Sequence, residues 1–234
     1  MSDKGKQAQG QGNAGISRRN FLKLAGGTAV GVGVAGVIPR FVWLDEAVAA
    51  IPASGGYLLV DTKKCQGCVT CMLACSLVHE GVENQSLARI QVIQNPFEKF
   101  PHDITLAQCR QCLEPACIEA CEPKALHVDG ENGNVRTVDE EKCIACMACI
   151  EACPFTPARV QFNHVEGHAQ KCDLCAEAPF WQEKGGPDGK QACVELCPVG
   201  AISFTKELPA QEGDAGYEVN LRGAGWKALG YTTK

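Results

Sequence analysis

The sequence predicts an α+β fold of two small modules, made of short strands and short helices. Three observations carry that expectation. Sixteen cysteines fall into four groups of four. The groups alternate in type along the chain, so that a two-part unit occurs twice. Short segments that alternate apolar and polar residues flank the groups.

The cysteine groups come first, because they decide the chemistry. Group one is Cys65, Cys68, Cys71 and Cys75, spaced C-x2-C-x2-C-x3-C. Group two is Cys109, Cys112, Cys117 and Cys121, with four residues between the second and third. Group three is Cys143, Cys146, Cys149 and Cys153, with the spacing of group one and Pro154 after it. Group four is Cys172, Cys175, Cys193 and Cys197, with 17 residues between the second and third and Pro198 after the last. Cysteine at this density means disulfides, zinc or iron–sulfur clusters. A disulfide-stapled binding module would not repeat one x2, x2, x3 spacing with a following proline. Tetrahedral zinc takes two C-x2-C pairs, not a run of three with a displaced fourth. A C-x2-C-x2-C loop sets three thiolates around one cube of iron and sulfide, and the fourth cysteine, leading into a short helix, reaches the second cluster of a two-cluster module. Soft thiolate is the ligand that iron in a cluster requires. Four complete groups therefore predict four [4Fe–4S] clusters. Gly67, Ala74, Ala145, Ala148 and Ala152 are small enough to let backbone N–H groups approach cluster sulfur.

The repeat is visible outside the cysteines. Val60–Cys65 and Val138–Cys143 both read V-D-x2-K-C, and Ala116–Cys121 parallels Ala192–Cys197. Expected strands are 57–60, 89–93, 126–128, 135–138, 160–162 and 201–204, with a hairpin loop over 129–134. Expected short helices are 70–78, 116–120 and 148–152. Aromatic residues are only 6% of the 234, too few for a large apolar core, so clusters would replace much of it. The net charge is −5, and the first 50 residues carry six Lys/Arg against three acids, leaving −8 for the rest. Such a body does not seek nucleic acid.

The first 50 residues read as a targeting segment. A polar leader precedes Ser17-Arg18-Arg19-Asn20-Phe21-Leu22-Lys23, and a 15-residue apolar run with five glycines follows from Leu24 to Ile38. Ala47-Val48-Ala49 supplies a small-residue cleavage pattern. Ser17–Lys23 resembles the twin-arginine export consensus, with Arg18 and Arg19 as the paired arginines. That implies export of a folded, cofactor-loaded chain to the periplasm or the outer face of the cytoplasmic membrane. Phe41–Leu44 extends the apolar character, so retention as a tether is the alternative to cleavage.

Over roughly residues 55–206 the chain resembles the four-cluster iron–sulfur (beta) subunits of the molybdopterin oxidoreductases, the DMSO-reductase type. It is also similar to polyferredoxin partners of hydrogenases and of tungsten-containing aldehyde oxidoreductases. The resemblance rests on Cys65–Cys68, Gln108–Cys117, Cys143–Cys146, Cys153-Pro154-Phe155 and Lys171-Cys172-Asp173-Leu174-Cys175. It implies ferredoxin-like modules with a pseudo-twofold repeat and a nested pairing. Cys65, Cys68, Cys71 and Cys197 would hold cluster 1, and Cys172, Cys175, Cys193 and Cys75 cluster 2. Cys109, Cys112, Cys117 and Cys153 would hold cluster 3, and Cys143, Cys146, Cys149 and Cys121 cluster 4. Spacing alone equally allows groups one with two and three with four. The implied organisation is a signal over 1–50, one module from 51–99 with 164–206, a second over 100–163, and a docking or covering tail over 207–234. The implied role is a non-catalytic relay between a large pterin-containing subunit and a soluble carrier or a membrane quinol/cytochrome anchor. A stand-alone ferredoxin is the alternative.

Other features are weaker. The 17-residue stretch in group four is a solvent loop or a docking element anchored by Trp181. Tyr217, Leu221, Trp226, Leu229 and Tyr231 in the tail cover a module or grip a partner. His79, His102, His127, His164 and His168 share no ligand spacing and read as surface or hydrogen-bonded residues. Lys63, Lys64 and Lys142 flank clusters and either raise a local potential or are solvated.

Overall fold

Each strand is four residues long, and a two-stranded ribbon of that length has little stability alone. The computed structural model describes residues 51–100, 102–213 and 215–228. The expected signal segment with Arg18 and Arg19, the tail residues Leu229 and Tyr231, and the side chain of Trp226 lie outside the described residues. Among the described residues, eight strands form four antiparallel ribbons. β1 (Tyr57–Val60) pairs with β8 (Ile202–Thr205), β2 (Gln91–Gln94) with β3 (Ile104–Ala107), β4 (Leu126–Asp129) with β5 (Val135–Val138), and β6 (Val160–Asn163) with β7 (His168–Lys171). Between them lie α1 (Thr70–Glu80), α2 (Ala116–Glu119), α3 (Ala148–Glu151) and α4 (Ala192–Glu195), with α5 (Ala224–Ala228) in the tail.

The β1–β8 ribbon joins the two ends of the cysteine region, and α1 packs on α4 while α2 packs on α3. Elements of groups one and four are thus neighbours, as are those of groups two and three. The expected module boundaries both fall within hairpins: β2 pairs β3 across 99/100, and β6 pairs β7 across 163/164.

Two strands, β3 and β7, and two helices, α4 and α5, were not expected. β3 and β7 fall in stretches without a clear apolar alternation. β7, His-Ala-Gln-Lys, is polar yet buried at all four positions. α4 repeats the A-C-[I/V]-E sequence of α2 and α3. The expected strand at 89–93 begins later, at Gln91, because the Arg89 N–H is directed to the Cys75 Sγ, 3.3 Å away, instead of a ladder partner.

The core mixes cysteine with aliphatic side chains. Leu58, Val60, Met72, Ile90, Leu106, Leu174 and Ile202 pack with Cys71, Cys75, Cys109, Cys172 and Cys193, and a second cluster gathers Leu126, Val160 and Ala169 around Cys121 and Cys149. α1 ends at Gly81 in the left-handed region (φ 70), where a Cβ would stand 2.9 Å from the Phe180 ring. Only glycine fits that turn.

The 17-residue stretch is exposed over much of its length, with Phe180 open to solvent and Trp181 partly buried. Trp181 packs beside Ala74, Val78, Cys175 and Ala192, and its Nε1 donates to the Lys190 carbonyl. The tail covers the body through Tyr217 and Leu221. Tyr217 is buried against Tyr57, its hydroxyl donates to the Arg110 carbonyl at 2.6 Å, and the Arg110 guanidinium lies over its ring. The Leu221 N–H donates to Asp61.

Candidate metal centre

Each cysteine loop turns by a left-handed residue immediately before its second cysteine. Gly67, Gln111, Ala145 and Leu174 hold that place, with φ between 49 and 66°. Groups one and three add a second, at Val69 and Met147. Such backbone is rare for a β-branched residue such as valine and is found where a site over-determines the chain. Here it curls the loop so that successive thiols face one side.

The thiols are all free, and they ring voids. Cys65, Cys68, Cys71 and Cys197 line one cavity. Cys75, Cys172, Cys175 and Cys193 line a second. Cys121, Cys143, Cys146 and Cys149 line a third. Cys109, Cys112, Cys117 and Cys153 form the fourth set: after burial, the charges of Cys109 and Cys153 are what push the Cys112 thiol up to about 11, and Cys117 reaches about 12 beside the same neighbours. Groups one and four therefore meet, and so do groups two and three. Among the described residues, no three His, Cys, Asp or Glu side chains converge as a single metal ion requires.

A feature not legible from the cysteine spacing unites the groups. The fourth cysteine of each accepts a backbone N–H from a residue at or near the start of the next strand. Arg89 donates to Cys75, Leu126 to Cys121, Arg159 to Cys153 and Ala201 to Cys197, at 3.2–3.3 Å. Gly67 and Gln111 donate within their loops, to Cys65 and Cys109, and Ala169 to Cys143. Such bonds stabilise negative charge on sulfur.

Electrostatics tests whether a cluster fits. Burial, followed by the neighbouring thiols, pushes Cys71 up to about 12, and burial raises the fully enclosed Cys172 and Cys193 well above the ordinary thiol range. Thiolates in these places need a positive partner, which iron supplies. The converse also holds. Arg136 and Lys171 are 1% and 2% exposed and touch no carboxylate among the described residues, and the Arg136 Nη2 has no partner. Both lie near Cys112 and Cys117. Buried cations of this kind require nearby negative charge, and an anionic thiolate-bound cluster provides it. The donor set, the cavities and the unbalanced cations fit [4Fe–4S] clusters.

A second charged network lies beside the Cys75–Cys172–Cys175–Cys193 cavity. Asp173 pairs with the His79 Nε2 at 2.9 Å and with the Arg89 Nη1 at 3.1 Å. Burial opposes both charges, yet the pair wins: His79 is pushed up to about 10, and Asp173 is held well below the usual carboxylate range. His79 and His168 are thus buried and hydrogen-bonded, not ligands. Lys64 donates to the Leu221 carbonyl and Lys142 pairs with Asp139, so both are engaged locally.

Residues 101–207 match the 4Fe-4S dicluster domain. The protein is 33% identical to the B subunit of the anaerobic dimethyl sulfoxide reductase of Escherichia coli K12, over 66% of its own length and 76% of that subunit. It is 32% identical to the thiosulfate reductase electron transfer subunit PhsB of Salmonella typhi, over 63% of its own length and 73% of the relative. It is 35% identical to the beta subunit of the NADH-dependent phenylglyoxylate dehydrogenase of Aromatoleum evansii, over 66% of its own length but only 31% of that longer subunit. Ringed thiols, sulfur-directed N–H groups and these likenesses agree: the chain belongs to the 4Fe–4S dicluster family of iron–sulfur electron-transfer subunits of oxidoreductases, and carries four [4Fe–4S] clusters.

Proposed function

We propose that the chain is a non-catalytic relay, passing single electrons between a catalytic molybdenum- or tungsten-pterin subunit and a membrane or soluble redox carrier. The observation that carries the reading is the grouping of thiols around separate cavities. Cluster 1 is held by Cys65, Cys68, Cys71 and Cys197, and cluster 2 by Cys75, Cys172, Cys175 and Cys193. Cluster 3 is held by Cys109, Cys112, Cys117 and Cys153, and cluster 4 by Cys121, Cys143, Cys146 and Cys149. The cavity linings and the mutual effects of the thiols support this nested assignment over pairing of groups one with two. They also support two bis-cluster modules related by a pseudo-twofold repeat.

Bound clusters supply reversible one-electron chemistry. The chain's own residues do the rest. Thiolates fix the sites, backbone N–H groups stabilise charge on sulfur, and aliphatic side chains keep water out. Cys68 and Cys146 are exposed, one at the first cavity and one at the last, and offer the places where electrons enter and leave. Ile144 and Met147, exposed beside Cys146, suit a covered contact with a partner. Ser17–Lys23, with Arg18 and Arg19, supports twin-arginine export to the periplasm or the outer membrane face, alongside the catalytic subunit.

Affinity purification of the tagged full chain from anaerobic cells tests this role. A large pterin-containing subunit in the eluate is expected. A fully loaded chain isolated alone points to a stand-alone ferredoxin, and a nickel-containing partner to a hydrogenase polyferredoxin. Cysteine variants test the assignment: C75S should extinguish the same reduced-cluster signal as C172S, whereas pairing of groups one and two would make it match C109S.

A further inference from the structure

Three buried side chains meet between the Cys75–Cys172–Cys175–Cys193 cavity and the Cys109–Cys112–Cys117–Cys153 thiols. Gln111 donates from Nε2 to the Cys172 carbonyl at 2.8 Å and accepts the Arg136 N–H on Oε1 at 2.8 Å. Arg136 donates from Nε to the Cys112 carbonyl at 3.1 Å. Lys171 donates from Nζ to the Cys172 carbonyl at 3.0 Å and to the Arg136 carbonyl. A continuous hydrogen-bonded path thus runs Cys112–Arg136–Lys171–Cys172, joining backbone that carries thiols of the two inner sites. The sites are close: Cys109 is among the groups whose charge raises Cys172.

The charge at this junction is one-sided. Arg89, a buried cation beside the Cys75–Cys172–Cys175–Cys193 site, faces Asp173, Glu80 and Glu140. Arg136 and Lys171 face carbonyl oxygens and thiols, with the Tyr57 phenol also near Arg136, and neither meets a carboxylate among the described residues. Two uncancelled positive charges in a weakly polarisable interior favour added negative charge on whatever lies nearest.

We propose that Gln111, Arg136 and Lys171 form a cationic junction that positions the two inner clusters and raises their potentials above those of the outer pair, so that an electron in transit rests at the middle of the relay. The proposal rests on the ligand assignment given above. One electron leaves one inner site and arrives at the other; no bond forms or breaks and no proton moves. Gln111 and the two cations are positioning residues, acting through the loops that carry the thiols.

The test is a redox titration of the anaerobically purified full chain, following the signal of each reduced cluster by electron paramagnetic resonance. C172S and C112S first identify the signals of the two inner sites. K171Q retains donors for both carbonyl oxygens but loses the charge. K171Q and R136Q should each keep the wild-type iron content and move the two inner signals to lower potential while the outer two stay in place, and K171R should restore the wild-type values. Unmoved potentials, a common shift of all four, or loss of iron from both K171Q and R136Q would overturn the proposal. Extinction of one and the same signal by C172S and C112S would instead overturn the ligand assignment, and the junction with it.

Discussion

The Cys75–Cys172–Cys175–Cys193 site and the Cys121–Cys143–Cys146–Cys149 site each present four thiols and differ in nearly everything around them. The first buries all four cysteines and sets His79, Arg89 and Asp173 beside them. The second exposes Cys146 and is lined by Pro123, Ala125, Leu126, Val138, Ile144, Met147 and Ala169, with no titratable side chain but cysteine. Ligand chemistry is therefore constant while access and fixed charge vary. Those are the two properties by which a protein tunes a cluster. Under the proposed relay, the enclosed site holds an electron away from solvent and the exposed one presents it.

Removing one ligand from each site should give the largest contrast. C193A strips a fully buried thiol from α4, where it also packs in the core. About four irons should be lost, and the thermal midpoint should fall by about 10 °C or more, because the cluster is part of the fold. C146A removes an exposed ligand, so about one iron should be lost and the midpoint should move little. Iron analysis with calorimetry reads both. Equal losses in the two variants would dissolve the distinction.

Next in size is the charged network of the inner site. D173N leaves the buried His79 without a carboxylate, while Arg89 keeps Glu80 and Glu140, at a cost of about 3 kcal/mol, read by denaturant unfolding under anaerobic conditions. The network also predicts a pH dependence. His79 is raised from 6.5 to about 10, so its contribution is complete below pH 6.5 and is lost as pH rises through 10. Asp173 is lowered from 3.8, so its contribution is present above that value and is lost as pH falls through the depressed value. H79Q should flatten the alkaline limb of a stability–pH curve, and no substitution at the Ile144–Met147 side should do so. The smallest effect belongs to the tail. Y217F removes a buried hydroxyl that donates to the Arg110 carbonyl and accepts from the Gln211 Nε2 and should cost about 1–2 kcal/mol, with iron content unchanged.

The contrast also explains what the sequence made legible. Cysteine spacing is a strict geometric code, so the sixteen ligands, α1, α2, α3 and most strands could be read directly. Periodicity reports a boundary between apolar core and water, and that signal fails where clusters replace the core. β7 is the clearest case. His168, Gln170 and Lys171 are polar and give no strand signal, yet the strand is buried between cysteine loops, where its polar groups find carbonyls and Glu140. The start of β2 was misplaced for a related reason, because a sulfur took the N–H that a ladder would have used. That Trp181 packs on Ala74, Val78 and Ala192 was not legible, because nothing in sequence marks them as its neighbours. The strand-entry donors were missed likewise, although each follows the last cysteine of its group.

The central claim is that the sixteen cysteines form four cubane sites. Iron and acid-labile sulfide analysis of the anaerobically purified chain, with Mössbauer spectra, tests it most directly. The account predicts about sixteen irons and sixteen sulfides per chain, all in [4Fe–4S] form. Zinc in place of iron, or eight disulfides in the native protein, would contradict it.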